Sequence, residues 1–174
     1  HPDAVGIVDV TDSGDSGQSW TYAEILAQAK RLARTLATRF RPSERVVVWA
    51  RNIPQWIFME YACGLAGLVL VTANPSFQAS ELRYVLEQSG AVGLFMVDGF
   101  RGNPMAAIAR EATKGNTRLR EVVNLEDGHV LYAHGERPAV LPDVQPDDAA
   151  QIQYTSGTTG FPKGAVLSHT LHCN

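Results

Sequence analysis

Short apolar runs alternate with amphipathic helical segments along the 174-residue chain, and this alternation restricts the possible folds more than any other feature. Arg45–Ala50 is apolar throughout its centre, as expected of a strand that is covered on both faces. The same criteria predict further strands at Val5–Val10, Leu68–Thr72, Ala91–Val97, Val122–Val123 and Gln151–Tyr154. Strands that alternate with helices predict an α/β fold with a mostly parallel sheet flanked by helices.

The helices between these strands have recognisable ends. Thr21 and Glu24 have the spacing of a capping box, and apolar residues then recur at helical spacing to about Phe40. Three further helices are predicted: Pro54 to about Gly67, Ala79–Ser89 with Gly90 as its stop, and Asn103 through Thr113. Irregular connections are predicted at Thr11–Gly17 and around Pro138, Pro142 and Pro146.

Charge balance and cysteine content exclude several classes of protein. The 15 basic and 18 acidic side chains give a net charge of −3, which argues against nucleic acid or an anionic membrane as a partner. Cys63 and Cys173 lie far apart, so we expect a cytoplasmic protein rather than a disulfide-stapled secreted domain. The most apolar segment, Tyr61–Ala73, is too short to cross a bilayer, so no transmembrane segment is predicted.

The segment Tyr154–Gly164 carries the clearest chemical signal in the chain. Ten consecutive residues contain four hydroxyl side chains, three glycines and one lysine, and they lie between two predicted strands. Glycines allow backbone N–H groups to converge on an anion, hydroxyls donate further hydrogen bonds, and Lys163 adds a full positive charge. The composition therefore predicts a polyphosphate site, whereas a simple glycine-rich turn would not require so many donors.

The residues that flank the lysine exclude the Walker type of phosphate loop. That pattern has Gly directly before the Lys and Ser or Thr directly after it, and it leads into a helix. Here Pro162 precedes Lys163, Gly164 follows it, and the next residues, Ala165–Leu167, have the pattern of a strand. A kinase or GTPase is therefore not indicated.

The segment Tyr154–Gly164, with Val166–His169 behind it, resembles the AMP-binding signature of the adenylate-forming superfamily. Other parts of the chain are similar to further motifs of that superfamily and to its fatty-acyl-CoA ligase branch: Trp20–Glu24, Asn52–Trp56, Ala66–Pro75, Glu81–Tyr84 and Ser89–Ala91. Peptide-synthetase domains usually have Asp-Pro and a Tyr-Pro pair where this chain has Asn74–Phe77. The resemblance therefore favours an acyl-CoA synthetase over an amino-acid-activating domain.

This resemblance implies a ligase that activates a carboxylic acid, most simply a fatty acid, as an acyl-adenylate and transfers it to coenzyme A. It implies ATP, Mg²⁺ and coenzyme A as partners. By motif position the ATP-binding residues would be Thr155, Ser156, Gly157, Thr158, Thr159, Gly160 and Lys163. The Thr155 hydroxyl would also be a ligand of Mg²⁺. The glycines suggest a loop that moves to clamp ATP and release pyrophosphate.

The resemblance also implies that residues 1–174 are the N-terminal fragment of the large AMP-binding domain, which ends just after the phosphate-binding loop. The rest of that domain and the small C-terminal domain would be absent, so we expect the fragment to be inactive alone. Open sheet edges and apolar faces would let it self-associate. An acyl-AMP or aryl-acid ligase, or a non-catalytic binding domain that retained the loop, remain as alternatives.

Other candidate residues have simpler explanations. His169, His172 and Cys173 have no partner cluster elsewhere, so a zinc site is not predicted. These three residues are instead predicted to lie on a helix surface or in a loop. Cys63 is interpreted as a small buried apolar residue. The sequence assigns core packing to Trp49, Trp56 and Phe58, and no role to His129 and His134.

Overall fold

The computed structural model describes residues 1–10, 14, 16–135, 137–155 and 162–173. It contains a two-stranded hairpin and a six-stranded sheet. The strands are β1 (Val5–Val10), β2 (Ser16–Thr21), β3 (Arg45–Trp49), β4 (Val69–Thr72), β5 (Gly93–Met96), β6 (Glu121–Asn124), β7 (Ala149–Thr155) and β8 (Lys163–Ser168). The helices are α1 (Tyr22–Arg39), α2 (Pro54–Leu65), α3 (Ala79–Ser89), α4 (Met105–Ala112), α5 (Gly128–Leu131) and α6 (His169–Cys173).

The large sheet has the strand order β6-β5-β3-β4-β7-β8. The first five strands are parallel to their neighbours, and β8 pairs with β7 in the antiparallel direction. The predicted α/β fold with a mostly parallel sheet is thereby confirmed. Because parallel strands end at the same edge of a sheet, the connections that follow β3, β4, β5, β6 and β7 all leave from one edge, the carboxyl edge.

Local chemical signals set the helix ends, as the sequence predicts. The Thr21 hydroxyl accepts a hydrogen bond from the Glu24 backbone N–H, and the Glu24 carboxylate accepts one from the Thr21 backbone N–H. Pro54 is the first residue of α2. Gly90 ends α3 with a φ of +64°, a left-handed conformation that carries a steric penalty for residues with a Cβ.

The core lies on both faces of the central strands. β3 and β5 are buried over nearly their whole length, and their side chains alternate between the helices that cover the two faces. Trp49, Phe40 and Phe95 are the largest of the fully buried side chains. The rings of Phe40 and Phe95 meet edge to face with 6.1 Å between their centroids.

Three elements differ from the sequence predictions. The connection predicted at Thr11–Gly17 ends earlier than expected, because β2 begins at Ser16. This strand pairs with β1, and its first four residues are exposed. This strand has few apolar residues, so its conformation depends on pairing rather than on burial. The short helices α5 and α6 were also not predicted; α5 begins where the Asp127 carboxylate accepts hydrogen bonds from two backbone N–H groups. None of the described helices is both long and apolar enough to cross a membrane.

Cys63 is fully buried in α2, which confirms the prediction that it is an apolar core residue. Burial raises the pKa of its thiol far above the usual range, and the nearby charge of Glu60 acts in the same direction. Because the thiolate is the reactive form, we expect iodoacetamide to leave Cys63 unmodified in the native chain even at about pH 9. Peptide mapping by mass spectrometry should detect modification only after urea is added. Native labelling at the rate of a free thiol would contradict this expectation.

Candidate functional site

The predicted phosphate segment begins and ends in a β-hairpin formed by β7 and β8. Tyr154 pairs with Gly164, and Thr155 pairs with Lys163, at the end of this antiparallel ladder where the chain passes from β7 to β8. Directly opposed residues in such a ladder have Cα atoms about 4.5–5.5 Å apart. The structure therefore brings together the backbone positions of the first predicted phosphate-binding residue, Thr155, and the predicted cation, Lys163.

The other predicted phosphate-binding residues, Ser156, Gly157, Thr158, Thr159 and Gly160, lie outside the described residues, as does the side chain of Thr155. Their roles stay predictions. Lys163 itself is exposed at the start of β8. A cation at the loop end of a hairpin, where a hydroxyl- and glycine-rich segment connects the two strands, is suited to binding a polyanion.

The hairpin lies at the carboxyl edge of the sheet, beside the turn Asn74–Phe77. Strand β7 pairs with β4, with Thr72 opposite Gln153, so the turn that follows β4 lies next to the last residues of β7. In open α/β sheets this edge is where ligands bind. The segment used above to distinguish the acyl-CoA branch therefore lies on the same edge as the candidate loop.

Two side chains hold that turn in place from within the protein. The indole N–H of Trp49 donates a hydrogen bond to the Asn74 carbonyl at 2.8 Å. The Asn103 amide donates to the Pro75 carbonyl at 2.9 Å. Trp49 is fully buried, as predicted, and it also supplies this polar contact at the end of its strand. These two hydrogen bonds fix the backbone of the turn at the carboxyl edge of the sheet.

Sequence reasoning missed Gln88, which contacts the hairpin, and Tyr84, which lies near it. The Tyr154 hydroxyl donates a 2.6 Å hydrogen bond to Oε1 of Gln88 in α3, and Tyr84 lies one helical turn before Gln88. Burial raises the pKa of Tyr154, and its proximity to Tyr84 acts in the same direction. The spacing of Tyr84 and Gln88 places them on one face of α3, but nothing local indicates which strand they lie near.

The other histidines and cysteines do not form a metal centre in the part of the chain that the structure describes. No group of three or more His, Cys, Asp or Glu residues comes together there. His169 is the first residue of α6 and is half-buried rather than on the surface; its Nε2 is enclosed with no hydrogen-bond partner among the described residues. The side chains of His172 and Cys173 lie outside the description. His129 and His134 are exposed.

The remaining aromatic candidates belong to the core. Phe58 is buried in α2 and meets Trp20 edge to face, with ring centroids 5.7 Å apart. Trp56 is half-buried and packs against the same core. Their packing agrees with the sequence interpretation.

Comparison with known protein families gives a match over the whole chain. A family model for "AMP-binding enzyme" matches residues 1–174. The chain is 38% identical over 154 residues to a feruloyl-CoA synthase of Amycolatopsis sp., covering 88% of this chain and 29% of that protein. It is 35% identical over 173 residues to triostin synthetase I of Streptomyces triostinicus, covering 97% of this chain and 31% of that protein.

Solved structures agree with the sequence comparison. A fatty acyl CoA synthetase from Mycobacterium tuberculosis superimposes with a TM-score of 0.71 at 25% identity, covering 87% of this chain and 30% of that one. The chain thus spans about a third of the length of the curated relatives it matches.

Proposed function

The chain belongs to the AMP-binding enzyme family, and on that premise we propose that it supplies the triphosphate-binding part of an ATP-dependent acyl-CoA ligase. The observation that carries this proposal is the hairpin, which sets Thr155 opposite Lys163 at the carboxyl edge of a parallel sheet. Residues 1–174 would be the N-terminal part of the large AMP-binding domain, in line with the third of each relative that they span.

In this proposal the hairpin binds the β- and γ-phosphates of ATP. In the adenylation step a carboxylate oxygen bonds to the α-phosphorus, and the bond from that phosphorus to the oxygen shared with the β-phosphate breaks. Negative charge therefore increases on the departing pyrophosphate. Thr155, Ser156, Thr158 and Thr159 would donate hydrogen bonds to it, with Gly157 and Gly160 allowing close backbone approach. Lys163 would place its charge beside the same oxygens. Because Lys163 is held in the ladder, its backbone needs no reorganisation at that moment.

Mg²⁺ fits this arrangement only in part. When bound with ATP, the ion neutralises phosphate charge and favours oxygen ligands. The Thr155 hydroxyl is an oxygen ligand of the right chemistry, and we propose it for that role. No acidic cluster completes the set among the described residues, so Thr155 would be one ligand beside phosphate oxygens and water.

The proposed acid is a fatty acid, and the proposed acceptor is coenzyme A. The structural likeness to a fatty acyl CoA synthetase supports the first, at 25% identity. The 38% identity to feruloyl-CoA synthases supports an aryl acid as a second candidate substrate, with the same reaction and acceptor. In either case we propose that the 174-residue chain has no turnover by itself.

The test uses the complete protein that contains this chain. We expect exchange of labelled pyrophosphate into ATP only when a carboxylic acid is present, and formation of a thioester when coenzyme A is added. Medium-chain fatty acids, 4-hydroxycinnamic acids and amino acids should be compared as substrates, with mass spectrometry of the acyl-adenylate. ATP hydrolysis that does not depend on an acid, with no adenylate formed, would overturn the proposal.

A further inference from the structure

Tyr154 links the base of the candidate loop to the body of the protein. It is the residue before Thr155, and its hydroxyl donates a 2.6 Å hydrogen bond to Gln88, 66 residues earlier on α3. The ring is half-buried and packs against the main core. A tyrosine hydroxyl is protonated in the neutral range and can donate there, and burial raises the pKa of Tyr154 further.

The Tyr154 ring occupies space that is free because residue 164 is a glycine and has no side chain. The two residues are opposed in the β7–β8 ladder. A Cβ on Gly164 would lie 2.9 Å from Cγ2 of Ile152 and 3.2 Å from Cζ of Tyr154, closer than such contacts allow without movement. The side chain of Tyr154 therefore lies across the backbone at Gly164, directly beside Lys163.

This contact matters because β8 is the outermost strand of the sheet as the structure describes it. Its one strand neighbour there is β7, and Val166 in its middle is 61% exposed. The position of Lys163 therefore depends on how firmly the end of β7 is held. Tyr154 belongs to β7 and lies against Gly164 of β8. It therefore contacts both strands at the point where the candidate loop begins and ends.

We infer that Tyr154 is a positioning residue for ATP: bound to Gln88 and seated on Gly164, it fixes the hairpin end that presents Thr155 and Lys163 to the phosphates. The inference rests on the proposed function and deepens it. Tyr154 touches no phosphate in this scheme; it acts through the backbone geometry of its two neighbours. Losing its hydrogen bond should weaken ATP recognition and leave recognition of the carboxylic acid unchanged.

Kinetics of the complete protein provide the first test. Tyr154→Phe and Gln88→Leu should each raise KM for ATP about fivefold in the exchange assay, the effect of one hydrogen bond. KM for the acid should not change, and the double variant should be no worse than either single one. Gln88→Glu keeps an acceptor oxygen for the Tyr154 hydroxyl and should retain the protection of the β8 amides. Equal loss toward both substrates, or additive effects, would overturn the inference.

A glycine pair gives a matched control. Gly164→Ala should also raise KM for ATP, since the new Cβ would press on Ile152 and on the Tyr154 ring and move the ring from its position over residue 164. Gly128→Ala, where a Cβ would meet nothing within 4 Å, should behave as the unmodified protein. An unaltered KM for ATP in Gly164→Ala would show that the ring and the loop are not coupled.

Amide hydrogen exchange keeps this inference separable from the proposed function. Because β8 pairs on one side only in the described sheet, alternate residues of β8 have their amides bonded to β7; in Tyr154→Phe and Gln88→Leu these protected β8 amides should exchange about fivefold faster, while those of β3 do not change. If the complete protein shows no acid-dependent pyrophosphate exchange, the proposed function fails and this measurement still tests the anchor. If that activity is present but neither KM nor β8 protection changes, the anchor is wrong and the function stands.

Discussion

Lys163→Ala in the complete protein should reduce acid-dependent pyrophosphate exchange at limiting ATP by about 10- to 150-fold. A hydrogen bond to a charged group contributes on the order of 1.5–3 kcal/mol, which converts to that range of rates. The effect should be large because Lys163 is paired with Thr155 at the loop end of the hairpin, where the phosphates are proposed to bind. Lys163→Arg should recover only part of the activity, since a guanidinium is broader and more rigid than an ammonium.

Lys114→Ala is the matched control, because Lys114 is also exposed but lies after α4, away from the hairpin. It should leave the exchange rate unchanged, and thermal unfolding should show that neither alanine variant has lost its fold. An unaltered exchange rate in Lys163→Ala would mean that this lysine takes no part in binding the nucleotide.

Phe95→Ala should produce a large loss of stability, about 3–5 kcal/mol in the free energy of unfolding. The Phe95 side chain is fully buried in β5, and its ring meets that of Phe40 edge to face. The guanidinium of Arg39 also lies 5.7 Å from the ring centroid. Removing the ring would leave a cavity that the flanking strands cannot close, and would also remove both aromatic contacts.

Urea unfolding of the 174-residue chain, followed by tryptophan fluorescence at one fixed protein concentration, would measure this loss. Val122→Ala is the control: Val122 is opposite Leu94 in the neighbouring strand, but it is 50% exposed. Its substitution should cost under about 1 kcal/mol. Comparable losses in the two variants would show that side-chain burial at these positions does not determine the stability.

Much of the fold could be predicted from the sequence because the relevant signals are local. A parallel strand buried on both faces has to be a short apolar run, and β3 is one. The ends of α1 and α3 are determined by residues that interact within one turn, such as Thr21 with Glu24. Predicted and observed bounds of α3 agree at both ends.

What the sequence could not provide is pairing between distant segments. Nothing in β2 identifies it as a strand, since it has little apolar surface and is defined by its bonds to β1. The position of β7 beside β4 is likewise set by packing rather than by local pattern. The same holds for the contact between Tyr154 and Gln88, in which neither residue alone indicates the other.

The place of β7 in the sheet also has a consequence for the order of assembly. Leu70 pairs with Gln151, about 80 residues later, whereas β3 and β4 are joined across about 25 residues. Closing the longer segment costs about 1 kcal/mol more in chain entropy, and the core formed by β3, β4 and β5 has to offset it. During synthesis, that core is also complete before β7 emerges. The β7–β8 hairpin is thus expected to dock last in refolding, with pulse-labelled amides of β3 protected before those of β7.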